Sequence, residues 1–198
     1  LVSKYREGLI ALTGGITSEI PELILNVGET QAEDAFKWWL DLFGDDFYVE
    51  LNRHGLEEED HINKVLLKFA KKYNVKVIAA NNCFYLNKED SHTQDILLCI
   101  GNAEYQSTPV GSGRGYRFGF PNEEFYFKTQ EEMKALFADI PEAIENISEL
   151  VEKIEPIKLE RPPMMPEFPL PEGFDNEDDY LKHITYKGAE WRYDKVTD

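Results

Sequence analysis

Three short apolar runs, separated by segments of helical periodicity, constrain this chain more than any other feature. Residues 8–12 (Gly8-Leu9-Ile10-Ala11-Leu12), 46–51 (Asp46-Phe47-Tyr48-Val49-Glu50-Leu51) and 75–80 (Val75-Lys76-Val77-Ile78-Ala79-Ala80) have the length and side-chain character of buried strands. Between the first two, Thr30-Gln31-Ala32-Glu33 reads as a capping box. It precedes Ala35, Phe36, Trp39, Leu40 and Phe43 on one helical face, and Gly44 closes the segment. Between the second and third, Ile62, Val65, Leu66, Phe69 and Tyr73 recur at the helical period over 57–73, with Glu58, Lys64, Lys68 and Lys71 outside. Strand, helix, strand, helix, strand with short connections predicts right-handed βαβ units on a parallel sheet, so the first 100 residues are α/β.

A helix near Lys88–Ile100 follows, and then a glycine-rich stretch, 111–119, too irregular for regular structure and expected to be a mobile loop. A strand is predicted at Phe125–Lys128. After it, Thr129 and Glu132 form a second capping box before Met133, Leu136 and Phe137. Pro141 opens a further helix with Ile144, Ile147, Val151 and Ile154 expected inward, a helical closing region. Six of the ten prolines fall between Pro156 and Pro171, a density that excludes helix and central strand and favours an extended tether. The expected organisation is therefore an α/β domain over 1–155, a Pro-rich linker over 156–174 and a terminal helix in 175–198. That helix is capped by Asp175 or Asn176, carries Tyr180, Leu181 and Ile184, and is too short to make a core alone. The chain opens on Leu1 with a strand-like run almost at once, which suggests that it begins partway through a fold.

Charge narrows the partners. With 38 acidic against 21 basic side chains, a formal net charge of −17 repels phosphate, so the segment alone is a poor ligand for nucleic acid. No apolar run approaches a membrane span and no basic leader precedes one, which points to a soluble, cytoplasmic protein. Cys83 and Cys99, each within an apolar stretch, read as reduced core residues, with a disulfide as the minority alternative.

Few residues carry chemistry. Glu50 and His54 stand at the end of a predicted strand, where α/β barrels place ligands, and a carboxylate with an imidazole there can bind zinc or manganese. A hydrogen-bonded loop histidine is the commoner outcome. Asn81, Asn82, Phe84 and Tyr85 end the third strand, yet an amide is a weak metal ligand and a phenyl ring is none. His92 and Asp95 share a helical face and can share an ion or simply pair with each other; His61 and His183 read as solvated. The glycine-rich loop lacks a phosphate-cradle motif, although Arg114 or Arg117 can grip a phosphate. In Trp38-Trp39, the second belongs to the apolar helical face and only Trp38 is left as a stacking platform.

Gly8-Leu9-Ile10-Ala11-Leu12-Thr13-Gly14-Gly15, Phe47-Tyr48-Val49-Glu50-Leu51-Asn52-Arg53-His54-Gly55, Ala80-Asn81-Asn82-Cys83-Phe84-Tyr85-Leu86 and Asp95-Ile96-Leu97-Leu98-Cys99-Ile100 resemble, in order and spacing, the later motifs of the PHP domain of bacterial replicative polymerases, the DNA polymerase III alpha-subunit family. Glu131-Glu132-Met133, 136–143, Glu145-Asn146 and 168–173 are similar to that family's passage from PHP domain to palm. The resemblance implies the later part of a PHP-type (β/α)7 barrel over 1–155 and the start of a palm over 175–198. Metal-binding members have a cysteine where this chain has Gly15, an aspartate where it has Asn82 and a histidine where it has Phe84.

With a thiolate, a carboxylate and an imidazole missing, the resemblance implies a degenerate site (Gly15, Glu50, His54, Asn82, Phe84), no metal or other cofactor in this segment, and a scaffold role. It also implies docking of a proofreading exonuclease subunit and other replisome proteins, with DNA met by the rest of the full-length chain. The palm aspartates that hold magnesium for nucleotide transfer would lie beyond Asp198. Two other readings compete: a metal-dependent phosphoesterase of the PHP superfamily, and a non-enzymatic interaction module.

Overall fold

The computed structural model describes residues 1–164, 166 and 168–193. Its elements are α1 (Val2–Tyr5), β1 (Ala11–Leu12), α2 (Glu19–Asn26), α3 (Glu29–Phe43), β2 (Phe47–Asn52), α4 (Glu57–Tyr73), β3 (Val77–Ala80), α5 (Ser91–Asn102), α6 (Gln130–Leu136), α7 (Glu142–Glu152) and α8 (Glu177–Arg192). The chain divides into two compact units, Leu1–Glu155 and Pro156–Asp198.

In the first unit the strands form a parallel sheet in the order β1-β2-β3, with Ala11 opposite Phe47 and Val49 opposite Val77. Neighbouring parallel strands in register point the same way, so Ala11, Phe47, Val49, Leu51, Val77 and Ala79 share one face. Those six side chains enter one core with Ile20 and Ile24 of α2, Phe36 of α3, and Ile62, Val65, Leu66 and Phe69 of α4. Phe36 is its centre: its ring meets Phe47 edge-on at 5.1 Å and lies 5.5 Å from Phe69 and 5.7 Å from Tyr73. The alternate residues Tyr48, Glu50, Asn52, Ile78 and Ala80 occupy the opposite face. Mixed α/β architecture with a parallel sheet is what the apolar periodicity predicts; the three strands described do not close into a barrel.

Several local expectations are corrected. The first strand is only Ala11–Leu12, because Gly8 takes φ +76° and Leu9 N–H turns back to the Arg6 carbonyl. The helix α2 had no sequence counterpart. Thr30 and Glu33 do not form a capping box: α3 begins at Glu29 with Gly28 as its N-cap, two residues before a Thr30 cap would start it, and Glu33 instead accepts from Lys72 (2.5 Å) and Tyr73 (2.8 Å) of α4. Phe125–Lys128 is not a strand but a single bridge, Tyr85 to Tyr126, because its partner segment is irregular. The Thr129 box does form: Thr129 Oγ1 accepts from Glu132 N–H at 3.2 Å, and Glu132 Oε2 accepts from Thr129 N–H at 2.7 Å.

The helix α7 lies against β3, where Asn146 Nδ2 donates to the Val77 carbonyl at 2.8 Å. Ile144 and Ile147 pack on the core, but Val151 and Ile154 are 57% and 58% exposed, since they lie past the reach of the strand. Arg53 ties the end of β2 to the α6–α7 corner: it donates to both Asp139 carboxylate oxygens (2.6 and 2.8 Å) and to the Leu136 carbonyl, with its guanidinium 4.7 Å from the Phe137 ring centre.

In the second unit, 156–164 carries no regular structure, and Asn176 caps α8 by accepting from Asp179 N–H at 2.9 Å. Phe168 and Phe174 both pack on Tyr180. Met165 and Glu167 of the expected linker, and 194–198 of the expected terminal domain, lie outside the described residues. Among the described residues no helix is long and apolar enough to cross a membrane.

Phe36→Ala should cost about 3–5 kcal/mol in urea unfolding, the range for emptying a buried phenyl site, whereas Trp38→Ala on the outer side of the same helix should cost about 0.5 kcal/mol or less. Equal losses would contradict this placement of the core.

Candidate functional site

The polar residues of the first unit converge where the strands end. The ladder of β1 finishes with a side chain: Thr13 N–H donates to the Tyr48 carbonyl, and Thr13 Oγ1 accepts the next β2 N–H, that of Glu50, at 2.9 Å. The chain then turns at Gly14, which has φ +75° and where a Cβ would fall 2.1 Å from Ser18 Oγ, so only glycine fits. Gly15 comes next; a Cβ there would meet only Asn52 Nδ2, at 3.9 Å, so this position has room for a side chain and simply lacks one.

Glu50 and His54 hydrogen-bond to different neighbours. Glu50 Oε1 accepts from Asn52 Nδ2 at 2.8 Å, on the face of the sheet opposite the core. The other amide atom, Asn52 Oδ1, is buried without a hydrogen-bond partner. His54 is 1% exposed and committed elsewhere: its Nδ1 lies 2.6 Å from Glu59 Oε1, and its Nε2 is 3.2 Å from the Asn82 main-chain nitrogen. Its ring stacks on Phe125 at 4.5 Å, and its carbonyl accepts from Asn122 Nδ2 at 2.7 Å.

At the end of β3 the amides of Asn81 and Asn82 are weak metal ligands and the Phe84 ring is none. Asn81 Nδ2 donates to the Tyr126 carbonyl, and Phe84 N–H to the Phe125 carbonyl. The Phe84 ring sits against Phe120 and Phe125 and is 48% exposed. Cys83, expected in the core, is exposed because the strand stops at Ala80; Cys99 is buried, and neither forms a disulfide. Among the described residues no group of three or more histidine, cysteine, aspartate or glutamate side chains is placed to hold a metal ion. The strand ends are a poor fit to a multinuclear centre: Glu50 and the unpaired Asn52 oxygen are joined there by amides, weak metal ligands, and both ring nitrogens of the nearby His54 are engaged.

The remaining candidates resolve into structural contacts. His92 and Asp95 are bridged by Gln106, whose Nε2 is 3.2 Å from His92 Nδ1 and 3.1 Å from Asp95 Oδ2. Arg117 is buried and spent on Asp95 through two hydrogen bonds of 2.6 and 2.9 Å, while its Nε–H donates to the Thr108 carbonyl. The guanidinium holds the Asp95 carboxyl below its ordinary value of 3.8, and Gln106 adds to the effect. This pair anchors the glycine-rich segment to α5. Trp39 donates to Glu19 at 2.8 Å and packs on the core, leaving Trp38 exposed. His61 is exposed, and His183 rests beside Phe174.

Glu59, Thr13, Asn122 and Phe125 are the site residues that sequence reasoning missed. For Glu59 a signal exists: in the acidic run 57–60 it alone falls in line with Ile62, Asn63, Leu66 and Ala70, the buried face of α4.

The PHP domain family profile matches residues 1–54, from the start of the chain to His54. The DNA polymerase III subunit alpha of Borreliella burgdorferi is 39% identical over 99% of this chain, which covers 17% of that protein. That of Treponema pallidum is 31% identical over 100% of the chain (16% of that protein), and that of Thermus aquaticus 36% identical over 100% (16% of that protein). The chain thus spans less than a fifth of the length of these relatives.

Arg117→Ala should expose 109–119 to limited proteolysis at low protease concentration, while Arg114→Ala leaves the cleavage rate unchanged. The stability that the Asp95 pair contributes is fully present above pH 3.8, the ordinary value, and is lost as pH falls below it through the depressed folded-state value. Acid unfolding of Asp95→Asn should accordingly show a weaker pH dependence in that window.

Proposed function

Since the chain belongs to the DNA polymerase III alpha subunits and carries PHP-domain sequence, we propose that it is a scaffold and docking portion of a replicative DNA polymerase, without a working metal centre of its own. In this reading the first unit is part of a PHP-type (β/α)7 barrel, and the residues after the Pro-rich stretch begin the palm. Template-directed nucleotide transfer, with magnesium, belongs to palm residues outside this chain, in a cytoplasmic enzyme.

The observation that carries the reading is the chemistry at the strand ends. Gly15 offers no side chain, Asn82 an amide and Phe84 a half-exposed phenyl ring, at the three positions where the family resemblance implies cysteine, aspartate and histidine in metal-binding members. Phosphoester hydrolysis there needs ions that polarise the phosphoryl oxygens and supply a hydroxide near neutral pH. Glu50 and Asn52 alone cannot neutralise two such ions, so no hydrolytic step is assigned to this chain.

The charge of −17 supports the docking half of the proposal. A surface so acidic repels the phosphate backbone and leaves protein surfaces as the partners that it suits. Exposed side chains Phe84, Leu86, Phe118 and Phe127 lie around the strand-end loops, the composition expected of a protein contact. A proofreading exonuclease subunit and other replisome proteins are the proposed partners.

The chain purified without chelator should contain no stoichiometric zinc or manganese, and its melting temperature should not change on adding a chelator. It should neither incorporate labelled nucleotide nor hydrolyse a phosphodiester with added Mg2+ or Mn2+. Turnover of the diester, abolished by chelation, would sink the proposal in favour of a phosphoesterase.

A further inference from the structure

A parallel sheet whose strand ends carry a site has to hold those ends in place, and bound ions do so in a metal centre because they are ligated from several strands at once. The inference here rests on the metal-free reading and asks what fastens the ends instead. The observations are the partners of one side chain. The main-chain N–H of Asn82 points at His54 Nε2 from 3.2 Å, so that nitrogen has to be the lone-pair acceptor. The ring proton then resides on Nδ1, which faces Glu59 Oε1 at 2.6 Å. Glu59 Oε2 accepts the His54 main-chain N–H at 2.5 Å, so the carboxylate grips both the backbone and the ring of the same residue. Asn122 donates to the His54 carbonyl, and Phe125 covers the flat of the ring with its plane only 6° away.

The end of β2, the first turn of α4, the end of β3 and the 122–125 segment thus meet on a single imidazole with no nitrogen to spare. We propose that His54, held in its Nδ1–H form by Glu59, fastens the β2 and β3 ends with hydrogen bonds where a metal-bearing site uses ions, and thereby positions the 82–86 segment with its exposed Phe84 and Leu86. His54 is here a positioning residue, and Glu59 acts through it. The fastening is specific to one tautomer: with the proton on Nε2, two N–H groups would oppose each other at Asn82 and the Glu59 oxygen would lose its donor.

The test uses the 198-residue chain. Nitrogen-15 NMR of the unmodified protein should show His54 with a protonated Nδ1 and a bare, hydrogen-bonded Nε2; the opposite tautomer overturns the proposal without any variant having to fold. In His54→Phe, which keeps a ring against Phe125 and removes both nitrogens, amide exchange at Asn82 should accelerate about tenfold, the effect of losing one part-buried hydrogen bond. The Val49 amide, in the β2–β3 ladder, should keep its protection. Unchanged exchange at Asn82, or equal acceleration at Asn82 and Val49, overturns the local role. A melting temperature lowered by chelator, with the Nδ1–H tautomer intact, would remove the metal-free reading and leave the fastening standing; the Nε2–H tautomer in a chelator-insensitive chain does the reverse.

Discussion

The parallel pairing of β2 on both of its edges is the constraint on which the rest of the first unit depends. Its residues alternate between two jobs: Phe47, Val49 and Leu51 fill the core beneath α3 and α4, while Tyr48, Glu50 and Asn52 present the other face. Because a strand repeats every two residues, a slip of one position would drive Glu50 and Asn52 among Phe36 and Phe69 and move the apolar set onto the opposite, polar-lined face. Register and site geometry are therefore one decision.

The core and the strand ends also stabilise each other. Burial of the Phe36, Phe47 and Phe69 rings holds α3 and α4 on the sheet, and α4 in turn delivers Glu59 to His54 and Asn63 to the Asn52 carbonyl. Immediately after β2, Arg53 runs outward to Asp139 and His54 inward to Asn82, so two adjacent residues bind the α6–α7 corner and the end of β3. What resembles a ligand pair in sequence is a set of braces in space. The same holds for Asp95 and Arg117, which fix a glycine-rich segment whose composition by itself reads as unconstrained.

Legibility differed by element for physical reasons. Helices α4 and α6 and the strand β2 were readable because burial periodicity or a local cap specifies them within a few residues. The strand at 8–12 was read too long, since pairing length is set by a partner 36 residues away, where Phe47 begins opposite Ala11. The Thr30 box failed because Glu33 found stronger company across the helix pair in Lys72 and Tyr73. Val151 and Ile154 kept the helical period past the end of the strand that would have covered them.

Residue order and residue types alone determined the α/β class, the acidic net charge, and the absence of thiolate, carboxylate and imidazole at positions 15, 82 and 84, because each follows from the order and periodicity of apolar runs or from side-chain chemistry that folding cannot change. Only the tertiary structure decided that Glu50 and His54 serve different neighbours, that Glu59 governs the imidazole, and that Asn52 keeps a buried oxygen unpaired. Those outcomes depend on which groups meet across distant stretches of chain, and hydrogen-bond direction and strand register exist only once the strands have paired.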